Sequence, residues 1–196
     1  MNSIYNLPNL LTLLRIALIP IFVVVFYLPI SWAREAATVI FVLAAVTDWL
    51  DGYLARRMQL VSALGAFLDP VADKLMVATS LVLLLQDDPR IVMAIAVAVI
   101  IGREIAISAL REWMAELGNR TQVAVSEIGK FKTATQMAAI ILLIYRDDLW
   151  GIPVYTVGLV LLYLAVVLTL WSMTLYLRAA WPSLRGDDTA RLPQDL

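Results

Sequence analysis

Cysteine and histidine are both absent from the 196 residues, and only 16% of the chain is charged. Without cysteine there are no disulfides and no thiolate metal sites. Without histidine, any acid–base chemistry falls to Asp, Glu, Lys or Tyr. The net charge of −1 shows no basic excess of the kind that marks nucleic-acid binders. No internal repeat or low-complexity run is present. A basic region before the first hydrophobic stretch is missing too, as is a small-residue cleavage site. That stretch therefore reads as a retained helix, not a signal peptide. What fills the chain instead is apolar side chains, at 62%. That is well above an ordinary soluble domain, so a single membrane-embedded domain is expected.

Turn signals divide the apolar sequence into six helices, an all-α polytopic membrane fold. After a short polar, interfacial N-terminal segment, Pro8 and Asn9 mark a helix entry, and helix one covers Leu10–Leu28. Helix two covers Trp32–Arg56, helix three Gly65–Gln86 and helix four Ile91–Trp113. Helix five covers Val123–Tyr145 and helix six Val154–Ala180. Residues 1–181 form the membrane domain, and 182–196 read as a polar cytoplasmic tail. Arg34, Arg90 and Arg146 follow helices one, three and five, whereas most other basic residues cluster at the opposite ends. The positive-inside rule then places both termini in the cytoplasm, with Trp32 and Trp150 at the outer interface.

Against that background one stretch stands out. It runs D48-W-L-D51-G52-Y-L-A55-R56, then eight residues, then G65-A-F-L-D69-P-V-A-D73. Ionisable side chains at membrane depth are costly and usually functional. Asp48 and Asp51 share one helical face, as do Asp69 and Asp73. If the two helices lie side by side, four carboxylates converge and need a compensating cation. Hard oxygen donors point to Mg²⁺, Mn²⁺ or Ca²⁺, not zinc.

Depth adds to this. Asp48 follows Trp32 by roughly 24 Å of helix and Arg103 follows Ile91 by roughly 18 Å, so both fall in the cytoplasmic half of a core about 30 Å thick. Lys130 and Lys132 come to a similar level. A polar cavity open to the cytoplasm is expected, with carboxylates, metal and a cluster of Arg and Lys. That composition suits phosphate handling: metals neutralise a diphosphate, arginines clamp a second phosphate, and a carboxylate takes a proton from an attacking hydroxyl.

The pattern D48-x2-D51-G52-x2-A55-R56-x8-G65-x3-D69-x3-D73 matches, without departure, the signature of the CDP-alcohol phosphotransferases. Further segments resemble the bacterial branch of that family that acts on glycerol phosphate. These are N9-L-L-T12-L-L-R15, F67-L-D-P-V-A-D-K74, the run from Arg103 to Gly118, and V125-S-E-I-G-K130-F-K132. The resemblance spans Asn6 to about Trp181. It implies transfer of a phosphatidyl group from CDP-diacylglycerol to sn-glycerol 3-phosphate, with release of CMP, by a homodimer in the bacterial inner membrane.

Carried onto this chain, the resemblance makes Asp48, Asp51, Asp69 and Asp73 the metal ligands for Mg²⁺ or Mn²⁺, two ions per site. Asp73 is also the general base. Gly52, Ala55, Arg56 and Gly65 match positions lining the CDP site. Asn9, Thr12 and Arg15 are placed to close that pocket from helix one. Arg103, Arg111 and Lys130 are assigned to the acceptor phosphate on charge and depth, with Lys132 in reserve.

Plainer roles exist for several of these residues. The carboxylates also suit structural ion pairs with Arg56, Arg103 and Lys74. Arg15 also suits snorkelling to the headgroups, and Lys74 a packing or surface role. Two rival functions are a cation transporter built on the intramembrane aspartates, and the same transfer chemistry with inositol phosphate, serine or phosphatidylglycerol as acceptor.

Overall fold

The computed structural model describes residues 7–58, 63–116 and 127–184. They form six helices: α1 (Leu7–Phe26), α2 (Ala33–Met58), α3 (Ala63–Asp87), α4 (Ile91–Glu116), α5 (Glu127–Tyr145) and α6 (Val154–Leu184). Three are long and apolar enough to cross a membrane, over Asn9–Phe26, Ile91–Glu116 and Val154–Arg178. α5 has a shorter apolar run, Phe131–Tyr145.

The breaks fall where the turn residues are. α1 stops at Phe26, ahead of Pro29, and carries Pro20 without interruption. Asp88, Pro89 and Arg90 separate α3 from α4. Between α5 and α6, Leu149 and Ile152 exchange backbone hydrogen bonds of 3.2 and 2.9 Å. Gly151, at φ 81°, takes the left-handed conformation that this turn needs. The end of α6 differs from expectation. The helix continues to Leu184, so Pro182 lies inside its last turn. One missing backbone donor that close to a helix end does not stop the chain from finishing the turn.

α1 packs on both α2 and α3, while those two touch each other only sparsely. α5 and α6 form the most extensive pair, and α4 leans on α6. The core lies in the half of the bundle nearer the 88–90 and 146–153 turns: Phe22, Phe41, Leu81, Ile100, Ile140 and Leu162 are fully buried. Hydroxyls within the helices donate to their own backbone, as Ser80 does to the Met76 carbonyl at 2.8 Å and Thr38 to that of Arg34 at 2.8 Å. That removes the need for a partner across an apolar interface.

One end of the bundle is tied by ion pairs. Asp87 accepts from Arg34 at 2.7 Å and from Arg146. Asp88 accepts from Arg90 at 2.6 and 2.5 Å and from the Tyr155 hydroxyl. The Arg90 guanidinium, with help from Tyr155, holds the Asp88 carboxyl down to about 2. These contacts join α2, α3, α5 and α6 and engage all three cations of this end. The basic residues of interest for chemistry are those at the other end.

Candidate active site

α1 sits against both acidic segments, and two of its polar side chains reach them. Asn9, Thr12 and Arg15 are all buried, with Arg15 only 1% exposed. The Arg15 guanidinium binds Asp48 at 2.5 Å and also binds Asp51, so it spans the i, i+3 carboxylates of α2. The Thr12 hydroxyl donates to Asp69 of α3. Arg15 thus does not snorkel. Two carboxylates hold it inside, where burial of a lone cation would be prohibitive. Among the described residues, Arg15 pairs with Asp48 and Asp51, whereas Arg103 pairs with Glu104.

Asp48 and Asp73 line one small recess together with Arg15, Phe41 and Met76. The two acidic segments therefore do meet, although α1 stands between much of their length. Among the described residues, no three carboxylates gather into a cage for a metal ion. The donor chemistry nevertheless fits a hard divalent cation, since Asp48, Asp51, Asp69 and Asp73 offer carboxylate oxygens alone. Arg15 supplies the compensating charge in this arrangement. Gly65 is buried in the first turn of α3. Gly52, Ala55 and Arg56 lie on the backbone of α2, and Lys130 on that of α5, but their side-chain surroundings lie outside the described residues.

Beyond Asp73 the site widens. A cavity of about 320 Å³ is lined by Asp73 and Lys74 of α3, Arg103 and Arg111 of α4, and Lys132 of α5. The structure thus brings the expected base and three of the four expected acceptor-site cations to one space. Lys74 is part of it too. Its backbone direction differs from that of Asp73 by about 100°, yet both residues line the cavity.

Other residues around this cavity were not singled out by the sequence. The Glu104 carboxylate accepts from Lys132 at 2.5 Å and from Arg103 at 2.9 Å. From α6, the Ser172 hydroxyl accepts from Arg103 at 3.2 Å, and the Tyr176 ring lies under the guanidinium with 5.7 Å to its centroid. Glu104 did carry a signal, an acid beside Arg103 in a long apolar run. Ser172 and Tyr176 carried none, because their role appears only when α6 packs on α4.

A second, more apolar cavity of about 220 Å³ adjoins the first. Asp73, Lys74, Glu104 and Lys132 line both cavities, and Leu75, Ile101 and Met137 add the apolar wall of the second. Two carboxylates and two lysines therefore stand at the boundary between a charged space and a greasy one. A molecule with a phosphate at one end and hydrocarbon at the other matches that division.

The family model for CDP-alcohol phosphatidyltransferase matches residues 5–171. The chain belongs to that family. Among curated relatives, a protein of Shigella flexneri serotype 5b (strain 8401) is 55% identical over 176 residues, 90% of this chain and 95% of the relative. A protein of Escherichia coli (strain K12) is 54% identical over the same share of each chain. Both carry the name CDP-diacylglycerol–glycerol-3-phosphate 3-phosphatidyltransferase. The matched region contains all of the aspartates and every cation described above.

Proposed function

We propose that this chain transfers the phosphatidyl group of CDP-diacylglycerol to sn-glycerol 3-phosphate, giving phosphatidylglycerophosphate and CMP. Relatives of that activity, more than half identical over nearly the whole chain, support the reaction. The observation on the molecule that carries it is the shared cavity: Asp73 lines the same space as Arg103, Arg111 and Lys132. A phosphorylated alcohol held by those cations presents its free hydroxyl toward a carboxylate.

In this reading the cations fix the acceptor's phosphate, which sets where its other end lies. The free primary hydroxyl attacks the phosphorus that bears the diacylglycerol. The bond from that phosphorus to the CMP oxygen breaks as the new one forms, and the hydroxyl proton passes to the Asp73 carboxylate. Asp48, Asp51 and Asp69, with Asp73, would hold Mg²⁺ or Mn²⁺. The metal supplies neutralisation of the diphosphate and of the charge that develops on the departing CMP. Arg15 and Thr12 orient the ligands from α1 and, with Asn9, wall the nucleotide side. Gly52, Ala55, Arg56 and Gly65 line the CDP. Lys130 joins Lys132 as an acceptor-side cation. The apolar cavity beside Asp73 is where we place the glyceride end of the lipid.

The setting proposed is a six-span protein of the bacterial inner membrane with both termini and the polar cavity on the cytoplasmic side, working as a homodimer. Its support is the distribution of Arg and Lys, together with helices of spanning length. The reaction is tested by incubating purified protein in detergent with CDP-diacylglycerol, sn-glycerol 3-phosphate and Mg²⁺. Equimolar CMP and phosphatidylglycerophosphate, seen by mass spectrometry, support it. CMP without the lipid product would mean hydrolysis, and cation flux in liposomes without CDP-lipid would mean a transporter.

A further inference from the structure

Lys132 comes from α5 and Arg103 from α4, and their side chains are 3% and 9% exposed. Two buried cations from different helices do not stay together unaided. Here one carboxylate oxygen joins them: Glu104 Oε1 takes a 2.5 Å bond from Lys132 Nζ and a 2.9 Å bond from Arg103. Glu104 and Lys132 border both cavities, and Arg103 lines the polar one.

We propose that Glu104 is a positioning residue for the acceptor phosphate, holding Arg103 and Lys132 as a pair in the cavity that Asp73 also lines. This rests on the acceptor-site reading given above. Two effects oppose each other when Glu104 loses its charge. Coulomb attraction alone would draw a phosphate more strongly to a more positive cavity. Against that, Lys and Arg are flexible side chains whose ordering is costly, and without the shared oxygen they repel each other out of register. Phosphate recognition depends on donors being placed in advance, so the loss of positioning wins.

The test is a kinetic comparison of purified full-length variants in detergent, varying each substrate separately. Glu104→Gln is expected to raise KM for sn-glycerol 3-phosphate about tenfold, one lost charge-assisted contact's worth. KM for CDP-diacylglycerol should change less than the acceptor KM, and kcat should stay within about threefold. Glu104→Asp, which keeps the charge on a shorter stem, should fall between, and it serves as the test if Glu104→Gln does not fold. Combined with Lys132→Gln, the rise should be smaller than the product of the two single effects, because both act through one contact.

Arg111→Gln separates the two levels, since Arg111 lines the cavity with no ion pair to Glu104 among the described residues. If Arg111→Gln raises the acceptor KM and the Glu104 variants do not, Glu104 has no positioning role. If neither changes it, the acceptor site lies elsewhere and the role of Glu104 falls with it. A lowered acceptor KM in Glu104→Gln would make Glu104 a competitor of the phosphate, and would overturn the proposal.

Discussion

Arg15 and Asp51 are 36 positions apart, and their side chains, 1% and 3% exposed, bind each other in the interior. The same guanidinium holds Asp48 at 2.5 Å. One residue of α1 thereby holds both carboxylates at the start of the acidic motif, while Thr12, one turn earlier, binds Asp69 of α3.

Arg15→Met should therefore be costly. It removes one partner of the buried Asp51 carboxylate, and breaking a buried pair costs up to about 3–5 kcal/mol. Asp48, with 43% of its side chain exposed, contributes less of that. A thermal melt in detergent should show a clear drop.

Asp73→Asn separates binding from chemistry. The amide keeps the shape of the side chain but no longer accepts the hydroxyl proton. Turnover should fall by about 10²–10⁴-fold, while CDP-diacylglycerol still binds, as read by ligand-induced stabilisation or by competition. Loss of binding to the same extent as turnover would make Asp73 a metal ligand with no role as base.

Much of this was legible from the chain. Helices ended where Pro29, Pro89 and the 146–153 turn placed them, and the spacing of Asp48, Asp51, Asp69 and Asp73 marked the acidic faces. Depth arithmetic brought Arg103 and Lys132 to the level of Asp73, and both line its cavity. The task of Arg15 was not legible. A lone arginine in an apolar helix suits snorkelling and nucleotide binding equally, until the neighbouring helices are in place. Glu104 was overlooked for a related reason. Beside Arg103 it looked like a local pair, and its bond to Lys132 crosses 28 positions of sequence.

The far end of the bundle makes its own prediction with pH. Asp88 is held at about 2, below its ordinary 3.8, chiefly by the hydrogen bonds from Arg90. A depressed carboxyl contributes stability that is present above the ordinary value and lost as pH falls through the lowered one. Melts should show that part disappearing between about pH 4 and pH 2. Asp88→Asn should be less stable at pH 6 and should lose less on acidification. Identical acid profiles for the two proteins would remove Asp88 from the account.

Close packing of α5 on α6 is tested at Gly158. A Cβ there would lie 3.0 Å from Leu143 Cγ and 3.2 Å from Leu142 Cβ, so a branched side chain has no room. Gly158→Val should lower stability by about 1–3 kcal/mol, the usual cost of overpacking. The acceptor KM should be unaffected, because no cavity-lining residue is touched.

The most direct measurement of the central claim is the initial rate of CMP release from CDP-diacylglycerol, with Mg²⁺ present and four acceptors side by side. These are sn-glycerol 3-phosphate, glycerol, inositol phosphate and serine. Rapid release with glycerol 3-phosphate, and little with the other three, is the expected result. It would tie the cations facing Asp73 to the acceptor's phosphate. Equal rates with glycerol and with glycerol 3-phosphate would show that those cations do not read a phosphate, and would contradict the account.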